Sequence, residues 1–188
     1  MKKVLFLLTI AGVFILSSCG SGSKNKSGKD TLAGKDSTVK GTVAIASWDL
    51  YKKYNNDFQK AMDEKNVGKT FKISNLLVQF IQSGDNGSKE IDCVAFDPKN
   101  DSLTEGHTSK TTKYKLNGKD LFPVKYGYSF KFTLANPKDA DGLKKFDNND
   151  AASEVVYTYF NVVTIEGSMT EVGGNYLSFD KCKILDKK

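Results

Sequence analysis

The chain contains no arginine; all 28 of its basic residues are lysine. Arginine's planar fork is the usual bidentate donor to phosphate and guanine, so that mode of nucleic-acid recognition is excluded. Histidine is almost as scarce. His107 stands alone in the polar run Thr104-Glu105-Gly106-His107-Thr108, too few imidazoles for a histidine-based zinc site. A Ser-His-Asp triad would need His107 as its base, yet no strained Gly-x-Ser-x-Gly turn occurs anywhere. The acid-rich runs at 97–101, 139–142 and 147–150 offer oxygen donors, but none matches the twelve-residue calcium loop with its terminal Glu. The carboxylates lie in turns and on polar faces, where solvated charge is the default, and no pair stands out for glycoside hydrolysis. Nor is there a long hydrophobic stretch. The apolar run 4–16 falls short of the roughly 20 residues that span a bilayer. No metal, no cofactor and no enzymatic activity are expected.

What the N-terminus does contain is a secretory signal. Met1-Lys2-Lys3 is short and cationic, the apolar run follows, and Leu16-Ser17-Ser18-Cys19 closes it. That tetrad resembles the bacterial lipobox. The resemblance implies cleavage before Cys19 and fatty acylation of that residue, palmitate-type chains included, so that lipid holds the protein to a membrane. Each buried CH₂ contributes about 0.8 kcal/mol, and two or more chains anchor stably.

The formal charge of +6 is concentrated ahead of the body of the chain. Residues 1–45 carry seven lysines against Asp30 and Asp36, whereas the remaining 21 lysines face 20 acids. A basic tether beside anionic lipid or polysaccharide accounts for the excess. From Gly20 to about Gly41 the sequence has no aromatic residue and few apolar ones. Such a segment buries too little surface to offset its ordering entropy and is expected to stay disordered. Three segments follow: a signal at 1–18, the lipidated Cys19 and a flexible linker at 19–45, and a folded domain at 46–188.

Within that domain the spacing predicts one helix over 48–64. Ser47 can cap it, and Tyr51, Tyr54, Phe58, Ala61 and Met62 recur on one face. The period then drops to two. Residues 69–82 form a strand whose apolar set switches face, from Phe71 and Ile73 to Leu76, Val78 and Phe80, which requires a bulge or bend near Asn75. Asp85-Asn86-Gly87-Ser88 reads as a hairpin turn into a second strand over 89–96. Residues 98–111 and 136–153 read as polar loops. Between them, strand 125–134 places Tyr126, Tyr128, Phe130, Phe132 and Leu134 on one face as core. Strands 154–169 and 176–185 form a closing hairpin across Gly173-Gly174-Asn175, the last switching face between Phe179 and Cys182. Five strands, bent in the first and last, suit a small closed barrel of OB type with one N-terminal helix. The fold class is therefore mainly β.

The chain carries, in order, Leu50-Tyr-x-x-Tyr-x-x-Asn56, Gly68-Lys-x-Phe-x-Ile-x-Asn75, Ile91-x-Cys93-x-Ala-Phe96, Val163-Thr-Ile-x-Gly167 and Leu177-x-Phe-x-x-Cys182-x-Ile184. This order of features is similar to the OB-fold family called tRNA_anti-like, common in Bacteroidetes lipoproteins. The chain departs from the family by a long insertion between Cys93 and Tyr126, and by lacking a strong helix between the third and fourth barrel strands. Asp30-Thr31-Leu32, Asp36-Ser37-Thr38 and Asp101-Ser102-Leu103 resemble the Bacteroidetes O-glycosylation acceptor, which implies sugar on Thr31, Ser37 and Ser102. No acidic run follows Cys19, which favours an outer-membrane position facing the periplasm.

Cys93 and Cys182 remain, in an oxidising compartment that permits a disulfide; the alternative is two buried thiols. The functional expectation is a non-catalytic envelope lipoprotein whose barrel binds a protein or glycan, with loops 98–111 and 136–153 as the contact face. Single-stranded oligonucleotide binding is the alternative, with Tyr126, Tyr128, Tyr157 or Tyr159 available for stacking if exposed. Nucleic acid is the less favoured partner.

Overall fold

The computed structural model describes residues 41–54, 60, 62, 64–104, 112–124, 129–151 and 154–188. Five strands close a barrel: β2 (Thr70–Ser83), β3 (Lys89–Asp97), β7 (Ser129–Leu134), β10 (Val162–Val172) and β11 (Tyr176–Lys187). Around the barrel the order is β2, β3, β7, β11, β10 and back to β2. Every neighbouring pair is antiparallel except β7 with β11. The fold is mainly β and OB-like.

Closure depends on the two anticipated bends. β2 pairs with β10 through Thr70–Leu77 and with β3 through Leu76–Ser83, so one strand belongs to both sides of the wall. The transition falls at Asn75, whose φ of 58° is tolerated because asparagine visits the left-handed region readily. Phe71 and Ile73 point inward before it, Leu76 and Val78 after it. In β11 the equivalent device is Lys181, at φ 54°, between inward Phe179 and inward Cys182. Pairing with β7 slips at the same place. Across from it, Gly167 of β10 leaves no room for a Cβ, which would fall on the Cys182 sulfur.

The core inside the barrel is aromatic. Phe132 stacks on Phe179 at 5.0 Å, and Phe71 meets Phe179 edge-on at 6.0 Å. Leu50 and Tyr54 of the helix α1 (Ser47–Tyr54) join this cluster. Residues 60 and 62 are helical as well, and Met62 is exposed there, off the apolar stripe assigned to it. Phe58 and Ala61 lie outside the described residues.

Ser47, expected as a helix cap, is the first residue of α1 and bonds across to the barrel. Its fully buried hydroxyl donates to the Asn75 carbonyl at 2.5 Å and accepts the Phe96 N–H at 3.1 Å. The helix start is thereby tied to the bend of β2 and the end of β3. Ser47→Ala leaves the Phe96 N–H buried without that acceptor, a loss of about 1–3 kcal/mol. Urea unfolding should show the midpoint falling at constant m-value.

The folded part begins earlier than residue 46. β1 (Thr42–Ala46) runs parallel to the start of β2, pairing Thr42 with Thr70 through Ala46 with Ser74. Residues 42–45, expected to belong to the linker, are therefore part of the folded domain.

The largest departure lies in the insertions. β4 (Ser102–Thr104), β6 (Lys119–Val124), β5 (Thr112–Leu116), β9 (Glu154–Tyr159) and β8 (Asp147–Ala151) continue the sheet outward from β3 in that order. They enclose a second core of Phe96, Leu103, Tyr114, Leu121 and Tyr159 against Leu77 and Val94. The Asn117-Gly118 turn, both residues at positive φ, makes the hairpin between β5 and β6. The single strand expected over 154–169 is two strands. β9 belongs to the second sheet and β10 to the barrel, with a break at Phe160-Asn161.

Candidate functional site

Two features of the barrel's outer surface combine aromatic rings with charge. The first is a ladder across four strands. Phe80 lies opposite Asp92, Asp92 opposite Lys131, and Lys131 opposite Ser178. The Lys131 ammonium sits 4.4 Å from the centre of the Tyr176 ring. Tyr176 in turn donates its hydroxyl to Glu171 at 2.7 Å.

Asp92 is the strained member of this row. Its Oδ1 is buried with no hydrogen-bond partner. Burial raises its pKa above the usual carboxylate value, Lys131 opposes the rise and Glu90 adds to it. A carboxyl with a raised folded-state pKa makes its charge an unfavourable feature of the native protein at neutral pH. That penalty fades as pH falls through the raised folded value toward the ordinary aspartate range. Asp92→Asn should therefore stabilise the protein at pH 7, and the gain should shrink toward pH 4. Thermal melts of both proteins across that range provide the check.

The second feature is a pocket of about 470 Å³ lined by Ile81, Leu143, Lys144, Lys145, Phe146, Asp147 and Phe160. One wall is the irregular segment between the 3-10 turn Pro137–Ala140 and β8. Two non-local hydrogen bonds hold it against the barrel. The Lys144 N–H donates to the Asn161 side chain at 2.7 Å, and the Phe146 N–H to the Gln79 carbonyl at 3.1 Å. Phe146 is braced further by Phe80 at 4.9 Å and Tyr157 at 5.2 Å. Phe80 is itself 44% exposed, which extends the aromatic surface beyond the pocket rim. The Lys144 ammonium lies 5.5 Å above the Phe160 ring. The pocket is shallow and open, with four apolar or aromatic side chains and the charged Lys144, Lys145 and Asp147 around it.

No family model and no curated protein matches the chain. Among solved structures it is similar to a lipoprotein of Klebsiella pneumoniae subsp. pneumoniae, named there as a candidate nucleic acid-binding protein. The two are 16% identical, the match covers 77% of this chain and 92% of that one, and the TM-score is 0.42. Likeness at that level leaves ligand and partner to be argued from the chain's own residues.

Several residues singled out in the sequence lie outside the described residues: Cys19, Thr31, Ser37, His107, Tyr126 and Tyr128. Ser102 is described. It opens β4, half-buried, its hydroxyl donating to the Asn100 carbonyl at 3.1 Å. In register beside it stands Phe122, 63% exposed. Tyr159 is fully buried, and Tyr157 stacks on Tyr114 at 5.4 Å in the second core, so neither serves as a free stacking platform.

Cys93 and Cys182 are not bonded to each other; both are free, buried thiols. Burial raises the pKa of each, that of Cys182 to about 12. Neither supplies a thiolate near neutrality. The two segments expected as loops are partly strand. Residues 102–104 and 147–151 are strands of the second sheet, and residues 98–101 form a turn after Asp97, which accepts from Lys99 N–H and the Asn100 amide. Among the described residues, no cluster of three or more His, Cys, Asp or Glu side chains stands ready to hold a metal ion. No helix among them is long and apolar enough to cross a membrane.

The pocket went unrecognised in the sequence because its wall is held by Asn161 and Gln79, partners remote along the chain. The one local sign was the sequence Leu143-Lys-Lys-Phe146, an apolar pair enclosing two lysines within a polar run.

Proposed function

We propose that this chain is a non-catalytic lipoprotein of the cell envelope whose OB-like barrel binds a protein or glycan partner. The observation that carries this reading is the pocket between Ile81, Phe146 and Phe160, prebuilt and aromatic, on a domain without arginine. The near balance of lysines and acids after residue 45 favours a partner of low charge density over a polyanion. Buried thiols with raised pKa values support a binding role over nucleophilic catalysis. The lipid anchor at Cys19, an outer-membrane position facing the periplasm and grouping with tRNA_anti-like proteins of Bacteroidetes belong to the same proposal. They rest on the lipobox tetrad, the residues after it and the residue pattern given above.

A second reading, oligonucleotide binding, has one observation in its favour. Tyr176 lies against Lys131 on the outer barrel wall, and Phe80 stands on the far side of Asp92 in the same row, where rings stack bases. Against it, Glu90 and Asp92 occupy the same face and would repel phosphates.

The full-length protein in detergent, titrated with fluorescent single-stranded DNA at 50 and 200 mM salt, separates the two readings. Weak binding that vanishes at the higher salt, together with retention on immobilised envelope glycan or protein, is expected. Tight DNA binding at 200 mM salt that is lost in Phe80→Ala would overturn the protein-or-glycan assignment.

A further inference from the structure

We infer that the pocket on the β2 flank takes an acidic sugar unit of a glycan. This rests on the envelope-binding function proposed above and narrows it to one ligand chemistry.

Three observations converge. First, the pocket floor and walls are apolar or aromatic, with Ile81, Leu143, Phe146 and Phe160 presenting carbon surface. Sugar rings carry patches of C–H groups that pack on such faces. Second, Lys144 and Lys145 line the same pocket and are exposed. Among the described residues neither has a salt-bridge partner, and the Lys144 ammonium is held over the Phe160 ring at the pocket. Two cations beside an aromatic floor call for an anionic group on the ligand. Third, the wall that carries them is held in place before any ligand arrives. The Asn161 and Gln79 hydrogen bonds fix the backbone at Lys144 and Phe146. Such preorganisation lowers the ordering cost of binding.

Local charge also says how much anion the site tolerates. Asp147 lines the pocket, Asp150 follows it on the exposed strand β8, and Asp92 lies opposite Phe80 in the neighbouring row. A strand with a phosphate at every unit would run from the two lysines onto these carboxylates. A glycan with a carboxylate on one ring, seated at Lys144 and Lys145, avoids them. This excludes the polyanion and retains the acidic sugar.

The test uses full-length protein in detergent, with calorimetric titration of three probes. These are sialyllactose, a trisaccharide with a single carboxylate, its methyl ester, which is uncharged, and an eight-nucleotide oligothymidylate. The acid should bind roughly tenfold more tightly than the ester, the order expected for a charge-assisted contact. Lys144→Gln/Lys145→Gln should reduce the acid to the affinity of the ester and leave the ester unchanged. Both substitutions are exposed, so folding is unaffected. Phe160→Ala should weaken both sugars, provided its melting curve shows a folded protein.

Equal affinity for acid and ester, or an acid affinity untouched in the double-lysine variant, overturns the acidic-sugar assignment and leaves glycan binding standing. Binding of the oligothymidylate with neither sugar bound at millimolar concentration overturns both. Silence of all three probes overturns the acidic-sugar assignment alone, since a protein partner would remain.

Discussion

Phe179→Ala should cost about 3–5 kcal/mol of unfolding free energy, the range seen when a fully buried phenylalanine is truncated. Phe179 sits where the barrel has least freedom to collapse. It stacks on Phe132 of β7, meets Phe71 of β2 edge-on, and lies two positions before the Lys181 kink. Both neighbours are themselves core, so removal of the ring leaves a cavity lined by rigid aromatics rather than by side chains able to fill it. For a domain of this size a loss of that order is a large share of the total stability. Urea denaturation gives the value directly. Phe122→Ala is the control: that ring is 63% exposed, and the change should stay within roughly 0.5 kcal/mol. A small effect at Phe179 would mean that the barrel interior is not packed as described.

Replacing residues 1–19 with a cleavable secretory leader that lacks the cysteine should move the protein from the membrane pellet to the soluble fraction almost completely. The proposed attachment is the acyl group alone. With about 0.8 kcal/mol for each buried CH₂, two or more chains anchor stably, and nothing replaces them once the sulfur is gone. Carbonate-washed membranes followed by immunoblotting report the partition. Mass spectrometry of the wild-type protein should find a chain that begins at a lipid-modified Cys19. An unmodified cysteine with residues 1–18 still attached would refute the anchor.

The barrel was legible in the sequence because its geometry is written in parity. Alternation in β2 and β11 fails at Asn75 and Lys181, as the face switches require. It fails once more between Val78 and Phe80, where a bulge turns Phe80 outward instead of into the core expected for it. The hairpin turns at Asp85–Gly87 and Gly173–Asn175 were equally local. The second sheet was not legible, for three physical reasons. β4 is only three residues long, too short for a period. Leu77 and Val94 lie on the outer wall of the barrel, and only the covering sheet makes them core. Apolar residues run on from β9 through Phe160 to β10, so the sequence gives no sign of the change of sheet at Asn161. Ser47 shows the same limit at one residue. A serine ahead of a helix suggests a cap, and only the fold reveals the Asn75 carbonyl and Phe96 amide on either side of it.

The start of β1 gains a mechanical meaning under the proposed N-terminal anchor. β1 begins at Thr42 and lies parallel to β2, so its start and the far end of β2 point in opposite directions. Ile81, at the pocket, is seven positions beyond Ser74, on the order of 20 Å further along. If a bound glycan holds that end while a membrane anchor draws on the other, the pull is shared by all five rungs between β1 and β2 in sliding. Rungs strained side by side resist traction better than a zipper opened from one tooth. A protein moored at one end and gripping at the other would thus carry tension through its wall without surrendering its grip.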